Sequence, residues 1–214
     1  MLYKGLTVEI DVDGVLFDLW GTFFDPTQSV YAKKAYDIGL SYVNITSYNF
    51  RNLSEIQRQL VFTAFNDVQF MTHLNLCPEF AYVLNQLKNL CLHGHIQKIF
   101  INTLVFNEKI MLQRKQQLQQ LFAVLADFVE IQVCLDKKQY NAVDIRIEDN
   151  PMCFTTVPDI PDNKQAKLNL LIDCPYNRAY VLKDTIRCKS LVEAVDIITR
   201  VQIPMLRETG IIKF

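Results

Sequence analysis

A chain of 214 residues, 50% of them apolar and 21% charged, has the composition of a well-buried globule, with room for one sizeable domain or for a core with a smaller inserted one. A formal net charge of −1 argues against a surface built to grip a nucleic-acid backbone, which would carry a basic excess. The longest apolar runs, such as Leu168 to Ile172, are strand-length and too short to span a bilayer.

Met1-Leu2-Tyr3-Lys4 has neither the apolar stretch nor the small-residue cleavage site of a signal peptide, so none is expected. Cys77, Cys91, Cys134, Cys153, Cys174 and Cys188 are scattered without a Cys-x-x-Cys pair. In a chain this long they read as reduced thiols of a cytoplasmic protein, mostly packing the core. In that compartment the Asn44-Ile45-Thr46 sequon carries no meaning.

In chain order, strands alternate with helices, the pattern of a parallel sheet covered on both faces. A first strand, Leu6 to Ile10, ends abruptly in Asp11-Val12-Asp13-Gly14. From about Trp20 to Asn75 no further clean strand appears; the segment is rich in aromatics and holds one helical stretch, Ser54 to Phe65. Ser54 is suited to cap it, because its hydroxyl accepts from the orphan amides of a first turn. Pro78 then opens a helical run, Glu79 to Leu87, at a position that needs no amide donor. Strands are expected at Lys98 to Asn102, Val129 to Val133, Asp144 to Ile147 and Leu168 to Ile172, and helices at Glu108 to Phe122 and Leu191 to Arg200. Lys109, Arg114 and Lys115, interleaved with glutamines, read as the solvated face of a helix. His93 and His95 fall in the loop after the Pro78 helix, without acidic company, and read as surface.

The chemistry concentrates at strand ends. Asp11 and Asp13 lie two residues apart at the carboxyl end of an apolar strand, where ligands bind in open α/β sheets. Paired carboxylates there are costly unless a cation neutralises them, which implies a hard metal ion. Taken alone the motif is equally a surface turn, since Asp and Gly are turn residues. Three later positions favour the site. Thr103 ends the second strand, with a hydroxyl and amide for a phosphate oxygen; Lys138 (or Lys137) precedes the fourth as a point charge; and Glu148-Asp149 closes the fourth with further acid.

Asp-x-Asp-Gly-x-x-x-Asp, a strand-terminal Thr, a Lys and an acidic pair, in that order, resemble the four motifs of the haloacid dehalogenase-like phosphohydrolases over nearly the whole chain. The 5′(3′)-deoxyribonucleotidase branch is more similar still, with a lysine before a stretch like Asp144 to Pro151 and a late Pro-Tyr-Asn-Arg like Pro175 to Arg178. The resemblance implies a three-layer, Rossmann-like α/β core with a parallel sheet over residues 1–19 and 76–214, and a small helical cap over residues 20–75 inserted after the first strand. It makes Asp11 the nucleophile and Asp13 the general acid–base. Mg²⁺ would be held by Asp11, the Asp13 carbonyl and Asp149, and Thr103 and Lys138 would stabilise the transferring phosphoryl group. Lysines are frequent on the family's second-motif helix, which reserves some interest for Lys115. Glu148 departs from the family's usual aspartate and puts the geometry behind the metal in question.

Trp20, Phe23, Phe24, Tyr48 and Phe50 are candidates to stack on a base, the alternative being that they pack the insert's own core. Asn102, beside Thr103, joins the substrate-binding set. Asp18 caps or orients the linker to the insert, and Tyr176-Asn177-Arg178 brace the active-site loop or end a strand, without a catalytic role. The favoured function is a 5′-nucleotidase acting on (deoxy)nucleoside monophosphates. It needs no nucleic-acid polymer or membrane and leaves room for a homodimer. The competing readings are a phosphatase for another small phosphate ester or a nucleic-acid 3′-phosphate end, and a catalytically silent binding protein. The intact set Asp11, Asp13, Thr103, Lys138 and Asp149 speaks against the last.

Overall fold

The structure is a computed structural model that describes residues 5–135, 139–154, 165–182 and 184–208, with side chains as far as residue 200. Six strands are described: β1 (Leu6–Asp11), β2 (Ile96–Leu104), β3 (Val129–Cys134), β4 (Ile145–Glu148), β5 (Leu168–Ile172) and β6 (Thr185–Cys188). They form one sheet in the order β3-β2-β1-β4-β5-β6, with every pairing parallel. The chain winds outward from β1 to β3, then returns to the other side of β1 and winds outward again through β4 to β6. The direction reverses between β1 and β4, and an open α/β sheet offers its ligand crevice beyond the carboxyl ends of the strands at such a switch.

The helices are α1 (Leu19–Phe24), α2 (Val30–Asp37), α3 (Glu55–Asn66), α4 (Val68–Thr72), α5 (Phe80–Leu92), α6 (Glu108–Leu121) and α7 (Leu191–Glu208). The first four lie between β1 and α5. Helix α5 packs on β2 and α7, α6 packs on β3 and α4, and the whole is a Rossmann-like α/β fold. No helix among the described residues is long and apolar enough to cross a membrane.

The middle strands are nearly continuous apolar runs because both faces of the sheet are covered. Val8, Ile10, Ile99, Ile101 and Ile147 are all fully buried. Two charges break the pattern and answer each other. Glu9 on β1 lies in register with Arg146 on β4, and Arg146 Nε donates to Glu9 Oε1 at 2.7 Å. The other Glu9 oxygen accepts from the Asn141 amide and side chain and from Asn102 Nδ2. Burying a charge is tolerable only when its remaining lone pairs are met in this way.

Several boundaries differ from those the sequence suggests. Pro78 is not the first residue of α5; Glu79, in a left-handed conformation at φ 63°, is the N-cap, and the helix begins at Phe80. The Ser54 cap is present as a full capping box with Gln57. The sixth strand escapes the pattern because only its last residue, Cys188, is buried. All six cysteines are free thiols.

Candidate active site

Asp11 is the last residue of β1, and the chain must turn sharply behind it. Gly14 makes the turn at φ 95°, and the amides of Leu16 and Phe17 close it on the Val12 carbonyl. A side chain at Gly14 would meet Asp149 Oδ2 at 2.0 Å, so only glycine lets the acid at the end of β4 approach the β1 loop this closely. Since β4 is β1's neighbour, with Ile10 opposite Ile147, the two acidic strand ends meet at the switch point.

Asp11, Glu148 and Asp149 are all buried and each offers an oxygen within 4.8 Å of the others. Three oxygen donors and no sulfur or imidazole suit a hard divalent cation, so the residues present fit one. Glu148 is a member of this cluster, rather than a residue behind it. Asp149 is fastened in place: the Tyr176 hydroxyl donates to its Oδ2, and Asn177 Nδ2 donates to its carbonyl at 2.9 Å. Burial, and then the Asp149 charge, hold the Tyr176 phenol well above its ordinary pKa, so it stays protonated and remains a donor.

Asp13 is gripped on both carboxylate oxygens. Thr103 Oγ1 on β2 donates to Oδ2 at 3.3 Å, and Arg114 Nη2 on α6 pairs with Oδ1 at 2.9 Å. Arg114 is thus not on a solvated helix face. It is fully buried, its guanidinium 4.4 Å from the centre of the Phe17 ring. The sequence carried a signal for this: Ile110, Arg114 and Leu118, the buried residues of α6, stand at i, i+4 and i+8, one stripe of a helix.

The acids form the floor of a cavity of about 660 Å³. Its walls include Trp20, Tyr48 and Phe50, and also Phe62, Phe65, Phe106 and Tyr176, which sequence reasoning missed as wall residues. Phe62 and Phe65 are one helical turn apart on α3, a spacing that marks a shared face. Phe23 and Phe24 do not line the cavity. Phe23 is fully buried against Phe24, with ring centroids 4.8 Å apart, and stacks on Tyr31, so it packs the main hydrophobic core. Asn102 does not face the cavity either; fully buried, it donates to the Gln139 carbonyl at 2.6 Å and to Glu9. Lys138 and its alternative Lys137 lie outside the described residues.

A volume in the hundreds of cubic ångströms with apolar walls and a few convergent polar groups is that of a small-molecule site. The arrangement joins a buried oxygen cluster that could hold a cation, a carboxylate beside it held by a hydroxyl, and an aromatic enclosure. No curated protein matches the chain closely enough to count as a relative. A family model described as "5′ nucleotidase, deoxy (Pyrimidine), cytosolic type C protein" matches residues 5–203, from β1 into α7. The chain belongs to this family of haloacid dehalogenase-like 5′-nucleotidases, and is with it a phosphatase of phosphomonoesters.

Proposed function

We propose that the chain is a magnesium-dependent, cytoplasmic 5′-nucleotidase that releases phosphate from deoxynucleoside monophosphates through an aspartyl-phosphate on Asp11. In this reading residues 20–75 serve as the cap and the remainder as the catalytic core. The observation that carries it is the acid cluster at the β1–β4 switch point, opening directly into an aromatic-walled cavity.

Asp11 attacks the phosphorus and takes the phosphoryl group as an acyl phosphate, which divides one hard displacement into two easier ones. Asp13 gives its proton to the departing 5′ oxygen and recovers one from the water that attacks the acyl phosphate. Thr103, and Lys138 from its position before β4, neutralise charge on the equatorial oxygens, where most of the catalysis of phosphoryl transfer lies. Asp11, the Asp13 carbonyl and Asp149, with Glu148 beside them, would hold Mg²⁺, which when bound neutralises charge on both the carboxylates and the phosphate. Trp20, Phe50 and their neighbours exclude water and offer faces to a planar base.

The cavity's size favours a monomeric nucleotide over a polymer, and the words deoxy and pyrimidine in the family's description support a deoxy sugar and a pyrimidine base. A phosphate-release screen tests the reading. Deoxynucleoside 5′-monophosphates should be hydrolysed faster than ribonucleotides, triphosphates and hexose phosphates, and EDTA should abolish turnover. Hexose phosphates outpacing every nucleotide would overturn the substrate, and full activity in EDTA would overturn the metal.

A further inference from the structure

The ion pair between Arg114 and Asp13 contains a second connection that the chemistry above does not use. The same nitrogen, Arg114 Nη2, lies 2.9 Å from Asp13 Oδ1 and donates to the Met71 carbonyl at 2.6 Å. Met71 is in α4, a helix of the insert, and also lines the cavity. A shift of α4 therefore moves the atom that faces the acid. Among the described residues, the guanidinium is otherwise held loosely, by Gln117 at 3.2 Å and by the Phe17 ring.

The pair is short but badly directed. Among the described residues, the buried side-chain oxygen or nitrogen atoms without a hydrogen bond are Asp13 Oδ1 and Arg114 Nε, one from each partner. Charge rather than a directed hydrogen bond joins these two atoms, so the directed contact on the carboxylate is the one from Thr103. A buried arginine cannot relax into water, and it follows its two partners instead.

We propose that Arg114 is a positioning residue that makes the orientation of the Asp13 carboxylate depend on the seating of α4. With the cavity filled and α4 seated, Nη2 sits where it aims the acid; with α4 displaced, the aim is lost and the proton is not delivered. This inference rests on Asp13 acting as the general acid, and its test separates the two claims. A nucleoside leaves as an alkoxide that needs a proton, whereas p-nitrophenolate leaves well without one. The first-turnover release of leaving group from thymidine 5′-monophosphate and from p-nitrophenyl phosphate therefore reports the acid alone.

Arg114→Met in the full chain should slow the nucleotide at least tenfold more than the aryl phosphate, with KM for each within threefold of the parent. Arg114→Lys, which keeps the charge but loses the guanidinium's seat on Gln117 and the Phe17 ring, should show the same bias at a smaller size. Asp13→Asn sets the benchmark and should show the largest bias. Should Arg114→Met not fold, Asp67→Ala keeps the proposal testable. Asp67 caps α4 by accepting from the Gln69 and Phe70 amides, and its loss loosens that helix while Arg114 is intact. It should slow the nucleotide at least threefold more than the aryl phosphate. Equal falls on both substrates in the Arg114 variants, or no bias in Asp67→Ala, overturn the inference. An Asp13→Asn enzyme without bias overturns the acid–base reading beneath it.

Discussion

Replacing Gly14 by alanine should cost the protein stability and disrupt the acid cluster proposed to hold magnesium. The backbone there, at φ 95°, is one that an L side chain adopts at a cost of about 1–3 kcal/mol. The new Cβ would also lie 2.0 Å from Asp149 Oδ2, 2.9 Å from its Cγ and 3.4 Å from the Tyr176 hydroxyl oxygen. That carboxylate has little room to retreat, because Tyr176 holds the oxygen and Asn177 holds the backbone carbonyl of the same residue. Overpacking of this kind adds about 1–3 kcal/mol, for a sum of about 2–6 kcal/mol. In a chain of this length each kcal/mol moves Tm by about 2–4 °C, so calorimetry should show a fall of roughly 5–20 °C. Titration calorimetry with magnesium chloride on the folded variant should show binding weakened at least tenfold. The clash can be isolated by a double-mutant cycle, since the substitution should cost about 1–3 kcal/mol less in an Asp149→Ala background than in the parent. Equal costs in the two backgrounds, or parental magnesium affinity in Gly14→Ala, would refute the reasoning.

Asp11→Asn should fold normally and lose on the order of 10⁴-fold in kcat, because the amide is nearly isosteric but a poor nucleophile; steady-state kinetics within tenfold of the parent would remove Asp11 from its role. Arg146→Met should destabilise by about 3–5 kcal/mol in urea titrations, since Glu9 would be left buried without its counter-charge; a loss below about 1 kcal/mol would mean that the Asn141 and Asn102 bonds suffice. Burial alone would raise the Asp144 pKa, but the hydrogen bonds from Lys167 and from the Thr7 amide and hydroxyl outweigh it and hold the group below its ordinary 3.8. A depressed folded pKa contributes stability above the unfolded value that disappears as pH falls through the folded one. The Tm gap between the parent and Asp144→Asn should therefore be present at pH 7 and shrink below about pH 3.8, and a gap of constant size down to pH 2 would contradict that assignment.

The sheet was the most legible part of the fold because a strand covered on both faces has little alternative to an apolar run. Ile99-Phe100-Ile101 and Leu170-Leu171-Ile172 announce themselves, whereas β6 does not, being an edge strand with Ile186 and Arg187 exposed. Helix α3 could be read from Ser54 and its capping box, which is local chemistry. Helix α1 could not, since its six residues are too few to establish a period and two of its four buried side chains are aromatic. Pro78 misled because a proline before a helix fits the first turn or the approach to it equally well. What decided the matter was the left-handed conformation of Glu79, which no residue-type preference would assign to a glutamate.

For the site, the local argument reached only as far as cost. Two carboxylates on an apolar strand end demand compensation, and that reasoning finds Asp11 and Asp13 and looks ahead to a second acidic strand end. It cannot say that β4 lies beside β1; that depends on the strand order, which is a property of the whole chain. Nor does it find Arg114, because an arginine in a glutamine-rich helix is counted as solvated until its neighbours Ile110 and Leu118 are recognised as one stripe. Asn102 failed in the opposite direction. Adjacent to Thr103 in sequence, it projects to the other side of the strand, as alternate residues must, and so serves Glu9 and the loop at Gln139 instead of the cavity. What separates the two is the demand of Glu9 and the Gln139 carbonyl, which draw the Asn102 amide away from the cavity.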